Sequence, residues 1–145
     1  MKKSITVFYV DDDQDDREYL SIVVGDINKD VELFTHKSAD DLMHALHNPP
    51  PSPHVVFVDL NMPGMNGFEV VEDLRNSERH KNLPIVVFST ATDPESILKS
   101  KNLGANYYLP KSGDYFSLRK SIEYVLNIDW QNFEPGNDNF IYRYN

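Results

Sequence analysis

A chain of 145 residues, 40% hydrophobic and 12% aromatic, is long enough to bury one sizeable core and too apolar to stay disordered. Its formal net charge of −9 argues against direct binding to nucleic acid or to an anionic membrane, and five of those negative charges lie in one stretch, DDDQDD, at residues 11–16. The absence of cysteine excludes a disulfide framework, a thiolate metal site and a cysteine nucleophile.

Short apolar runs alternate with longer amphipathic stretches, the rhythm of a parallel sheet with crossover helices. Strands are predicted at residues 5–10, 31–35, 55–59, 84–89 and 106–109, and ITVFYV, VVFV and IVVF are nearly continuously apolar, as strands covered on both faces must be. Helices are predicted at 13–26, 38–47, 66–75, 94–102 and 115–127. Tyr19, Leu20, Val23, Val24 and Ile27 give the first an apolar stripe. Asp93-Pro94 reads as an N-cap followed by proline at the first helical position, and Gly104 as the stop of that helix. The segment NPPPSP at 48–53 must be a loop. The pattern is (βα)5, with a domain expected over 1–128 and an extension over 129–145. No run approaches the ~20 apolar residues that span a bilayer, and carboxylates follow ITVFYV too soon for a signal peptide, so the expected location is the cytoplasm.

Ligands of open parallel sheets bind beyond the carboxyl ends of the strands. Strand one ends in Asp11 and Asp12, strand three in Asp59 and strand four in Ser89-Thr90, and Lys111 follows strand five. If strands one and three are neighbours, three carboxylates meet in a partly buried crevice and call for a cation. Oxygen-only donors favour a hard ion such as Mg²⁺ (or Mn²⁺), and Ser89 and Lys111 offer contacts to phosphate oxygens. The remaining Asp13, Asp15 and Asp16 read as a solvated helix start. The five histidines show no ligand spacing.

The set VDDD, VFVDLNMPGMNGFEV, PIVVFSTA and YYLPKS resembles the receiver domain of two-component response regulators, over residues 4 to about 127. The resemblance implies a flavodoxin-like α/β fold with a five-stranded parallel sheet in the order 2-1-3-4-5. It implies Asp59 as phosphoacceptor, Asp12 as a direct Mg²⁺ ligand, Asp11 as a ligand largely through water, and Asn61 as a ligand through its backbone carbonyl. Ser89 matches the switch hydroxyl, Tyr108 the switch aromatic and Lys111 the phosphate-binding lysine. The implied partners are a histidine kinase or histidine phosphotransfer protein upstream, and a protein target at the face of helix four, strand five and helix five downstream. Such a domain assists its own phosphorylation and hydrolysis but is not a turnover enzyme.

Two departures stand out. Receivers usually carry a cis proline after the lysine, whereas Lys111 is followed by Ser112, and a cis bond without proline costs ~2.5–4 kcal/mol. Thr90 stands where alanine or glycine is usual, so its bulk is expected to hinder water and lengthen the phosphoryl lifetime. The rival readings are an unphosphorylated interaction module, a flavin carrier, which DDDQDD would oppose, and a DxD phosphohydrolase, for which Asp59-Leu60-Asn61 lacks the second aspartate. Beyond the family pattern, Trp130, Phe133, Phe140, Tyr142 and Tyr144 crowd the tail, and the alternation in NFIYRYN predicts an extended segment with one apolar face, folded on its own domain or paired with a partner or a second copy.

Overall fold

The computed structural model describes residues 4–27, 30–136 and 139–144. Five strands, β1 (Ile5–Val10), β2 (Val31–His36), β3 (Val55–Val58), β4 (Ile85–Ser89) and β5 (Tyr107–Pro110), alternate with five helices, α1 (Gln14–Asp26), α2 (Ala39–His47), α3 (Gly67–Arg75), α4 (Pro94–Leu103) and α5 (Tyr115–Leu126). The strands pair in parallel in the order β2-β1-β3-β4-β5, the flavodoxin-like order expected. Element ends shift by a residue or so, because Asp59 and Pro84 flank their strands and Pro110 closes β5. Among the described residues no helix is long and apolar enough to cross a membrane.

The continuous apolar runs are explained by two cores. Phe8, Val10, Val56, Val58, Ile85 and Val87 face Leu42 of α2 and Val70, Val71 and Leu74 of α3. The alternate positions Val7, Tyr9, Phe57, Val86 and Phe88 face Leu20 and Val23 of α1 and Leu118, Ile122 and Val125 of α5. Both faces are therefore covered, and polar residues are squeezed to the strand ends.

Each helix begins where the sequence places a cap. Asp13, Ser38, Asn66, Asp93 and Asp114 each accept the amide three residues on, filling a donor that the first turn leaves open. Gly104 ends α4 at φ 109°, a conformation that favours glycine. Arg75, at the end of α3, donates to Gly104 O at 2.7 Å and to Asn106 Oδ1 at 2.6 Å, tying α3 to the entry of β5.

The tail folds back on its own domain. Tyr108 donates its amide to Phe140 O at 2.8 Å, and Tyr142 donates to Tyr108 O at 2.9 Å, making a parallel bridge along the outer edge of β5. The expected single apolar face is corrected by this placement: Phe140 and Ile141 join the α2–α3 core, while Tyr142 and Tyr144 join the α1–α5 core with Trp130 and Phe133. A segment that borders a sheet edge meets the layers above and below it, so its side chains divide between both.

Gly67 fixes the turn that follows Asp59. Its amide donates to Leu60 O at 3.1 Å, and a Cβ there would lie 2.3 Å from Asp59 O and 2.7 Å from Leu60 Cα. Backbone cannot yield as a side-chain tip can. Gly67→Ala is therefore expected to lower stability by about 1–3 kcal/mol through overpacking. Urea denaturation checks this, and an unchanged midpoint would count against the close approach.

Candidate functional site: an acidic pocket at the carboxyl end of the sheet

Strand register brings the carboxylates together. Val10 pairs opposite Val58, and Asp59 donates its amide to Val10 O at 3.1 Å, so the residues that follow each strand emerge side by side. Carboxylate oxygens of Asp11, Asp12 and Asp59 all lie within 4.8 Å of one another. Asp11 and Asp59 are buried at 1% and 5% exposure, while Asp12 opens to solvent. Three oxygen donors with one open side suit a hard divalent cation that keeps some of its waters. Asn61 is exposed between buried Leu60 and Met62 on the loop leaving Asp59.

Lys111 reaches into this pocket from the end of β5. Its Nζ lies 2.7 Å from Asp11 Oδ2, 2.9 Å from Asp16 Oδ2 and 3.4 Å from Asp59 Oδ1. Burial works against its charge, but the carboxylates of Asp11, Asp16 and Asp59 outweigh it and raise the lysine above its ordinary value. Among the described residues the cis peptides are those preceding Pro50 and Pro51, so Lys111-Ser112 is trans, and the lysine reaches its partners without a cis bond. Its backbone amide donates to Ser89 O at 2.8 Å.

Two residues of the pocket were not expected from sequence. Asp16 pairs with Lys111 and is not merely part of a solvated helix start, a role that Asp13 as cap and exposed Asp15 do keep. The first turn of α1 rises directly over the crevice, and sequence spacing alone cannot show a contact between residues 16 and 111. Tyr9, fully buried, donates its hydroxyl to Asp11 Oδ2. Burial and the Asp11 hydrogen bond both raise its pKa, so it remains a donor. The signal that could have found this pair is the period of two, which puts positions 9 and 11 on one sheet face.

Ser89 is fully buried at the end of β4, and its Oγ accepts the Ala91 amide at 3.1 Å. Tyr108 is also fully buried, donates its hydroxyl to Ala91 O at 2.7 Å and stands beside the Ser89 hydroxyl. The aromatic ring thus already lies inside the domain in this state. Thr90 is exposed and lines a cavity of about 240 Å³ together with Lys111, Phe88, Tyr19 and Asp16. Among the described residues the acidic cluster contains no histidine: His54 Nδ1 accepts the Thr6 amide at 2.9 Å, and His36 packs its ring on Phe8 while its carbonyl accepts the Asp11 amide at 3.0 Å.

The response regulator receiver domain family matches residues 7–123. The chain belongs to that family. The response regulator Rcp1 of Synechocystis is 32% identical over 73 residues, covering 50% of each chain, so this chain spans about half the length of that relative. The chemotaxis protein CheY4 of Vibrio cholerae superposes with a TM-score of 0.71 at 29% identity, covering 85% of this chain and 99% of that one. The Mn(2+)-bound form of Rcp1 gives a TM-score of 0.75 at 24% identity over 91% of this receiver and 99% of that chain, a likeness of fold. The matched span includes every residue of the acidic pocket and stops short of the aromatic tail.

The receiver's pocket has a pH signature. Burial pushes the Asp59 carboxyl from its ordinary 3.8 up to about 6, with Lys111 opposing and Asp11 adding to the rise. A carboxyl that binds its proton more tightly when folded favours the fold below pH 3.8 and loses that contribution as pH rises through about 6. In metal-free buffer the Asp59→Asn chain is expected to gain stability relative to wild type as pH goes from about 4 to about 7.5. Denaturation midpoints at both values check this, and a pH-independent difference would contradict it.

Proposed function

We propose that this receiver accepts a phosphoryl group on Asp59 from a histidine kinase or histidine phosphotransfer protein and switches a protein-binding surface. The observation that carries the reading is the convergence of Asp11, Asp12 and Asp59 around one point, with Lys111 reaching the same carboxylates. An Asp59 oxygen attacks phosphorus, the bond from phosphorus to the donor's histidine nitrogen breaks, and imidazole leaves. At pH 7 Asp59 is mostly ionised and so keeps its lone pair for attack. Lys111, kept cationic by its carboxylate neighbours, would hold phosphoryl oxygens once Asp59 carries them. Mg²⁺, or Mn²⁺ as in the Rcp1 form of similar fold, would be held by Asp12, Asp59, the Asn61 carbonyl and, through water, Asp11, and would neutralise charge on the transferred group.

The acyl phosphate adds roughly −1.5 to −2 charges to a crowded site. Ser89 would turn its hydroxyl toward those oxygens and give up the Ala91 amide. Because Tyr108 is already buried, it would answer through its bond to Ala91 O rather than by a swing from solvent. The change would be read on the face of α4, β5 and α5 by a downstream protein. The role is that of a cytoplasmic signalling protein consumed stoichiometrically and not of a turnover enzyme.

Incubation with acetyl phosphate and Mg²⁺ is expected to add the mass of one phosphoryl group, lost in Asp59→Asn. Persistence of the adduct in that variant would remove Asp59 from its role. In the same assay Thr90→Ala is expected to lose the phosphoryl group several-fold faster, by about 1 kcal/mol of barrier or less. Equal decay would leave Thr90 without a part in the lifetime.

A further inference from the structure

β5 is the last strand of the sheet, and an edge strand presents unpaired backbone groups. Phe140–Tyr144 covers that edge. Phe140 O and the Tyr142 amide bracket Tyr108, and the Tyr144 hydroxyl donates to Pro110 O at 2.7 Å while meeting Ser121 Oγ of α5 at 3.1 Å. The Phe140 ring is 2% exposed against the Tyr108 ring, and Tyr142 packs on Tyr124. On the α4 side the cover is loose. A groove of about 480 Å³ separates the tail from the helix, lined by Pro94, Ile97, Leu98, Phe140, Ile141 and Arg143.

The anchors of this segment belong to the residues that would respond to phosphate. Ser89 Oγ holds the Ala91 amide, Ala91 O holds the Tyr108 hydroxyl, and the Tyr108 backbone holds the tail. From the other side, Pro110 O holds Tyr144 and directly precedes Lys111. A shift of the Ser89–Ala91 loop or of the lysine toward a phosphoryl group therefore disturbs both ends of the tail's attachment.

We propose that Phe140–Tyr144 is a latch over the β5 edge, loosened by the phosphoryl group on Asp59, and that the uncovered edge then accepts an extended, aromatic-bearing strand of a downstream protein. The inference rests on the reading of Asp59 as phosphoacceptor. The latch itself shows what fits: a strand parallel to β5 that pairs with the Tyr108 backbone, sets one apolar ring against the Tyr108 ring and reaches Pro110 O with a hydroxyl.

Amide hydrogen exchange in the full chain tests this, with Mg²⁺ alone and with Mg²⁺ plus beryllofluoride as the phosphoryl stand-in. The Tyr108 and Tyr142 amides are expected to exchange at least about tenfold faster with beryllofluoride. Unchanged exchange there, while the amides of Asp59, Ser89 and Thr90 shift on binding it, overturns the latch and leaves the phosphoacceptor reading intact. A second arm needs no phosphate. A dye-labelled synthetic peptide of residues 139–144 is expected to bind the Tyr144→Phe chain at least about tenfold more tightly than wild type, since the tethered competitor is weakened. Equal affinity overturns the exchangeable edge, including where beryllofluoride fails to bind and the phosphoacceptor reading falls with it.

Discussion

Three carboxylates are held in like-charge contact by the sheet itself. The amide of Asp59 is bonded to Val10 O, so Asp59 cannot retreat from Asp11 without breaking the β1–β3 ladder. Repulsion of this kind is tolerated because Lys111 crosses from β5 to meet Asp11 and Asp59, Tyr9 donates to Asp11 from below, and Asp13 donates its amide from the start of α1. Burial still raises the Asp59 carboxyl above its ordinary value, with Lys111 opposing the rise and Asp11 and Asp12 adding to it. A site built this way is poised to gain from a cation, and residues at the ends of β1, β3 and β5 and at the start of α1 are committed to it.

The fold was legible because apolar runs bounded by carboxylates and hydroxyls leave few alternatives to a sheet covered on both sides. ITVFYV, VVFV and IVVF each divide their side chains between the two cores, and the same runs end in Asp11, Asp59 and Ser89. Asp16 escaped notice because its partner lies 95 residues away and depends on the tilt of α1 over the crevice. Tyr9 was hidden by its company: within an apolar strand a tyrosine reads as packing, and its hydroxyl is noticed only when position 11 is placed on the same face. The tail's aromatic content announced burial, yet its division between two layers follows from running along an edge, which no periodicity within NFIYRYN encodes.

Membership of the receiver family and the geometry of the pocket address different questions. The family fixes the topology and the order of the strand-end residues. The structure adds how this chain balances them, with a trans Lys111-Ser112 peptide, an extra carboxylate on the lysine and a buried Tyr108 whose backbone already pairs with a sixth segment. The acidic pocket and the β5 edge are joined by a short hydrogen-bonded series through Ser89, Ala91 and Tyr108. Charge placed at one end has a physical route to the other.

The central claim is that the carboxylate cluster is a cation site whose repulsion metal relieves. Thermal unfolding in EDTA and in rising Mg²⁺ at pH 7.5, for wild type and for Asp12→Asn, tests it most directly. Ligand that binds only the folded state stabilises it by RT ln(1 + [L]/Kd), about 2.7 kcal/mol at 100-fold excess over Kd. The account predicts a rise in wild-type Tm that continues with the logarithm of Mg²⁺ concentration above Kd and is largely lost in Asp12→Asn. An equal response in both chains, or none in wild type, would contradict it.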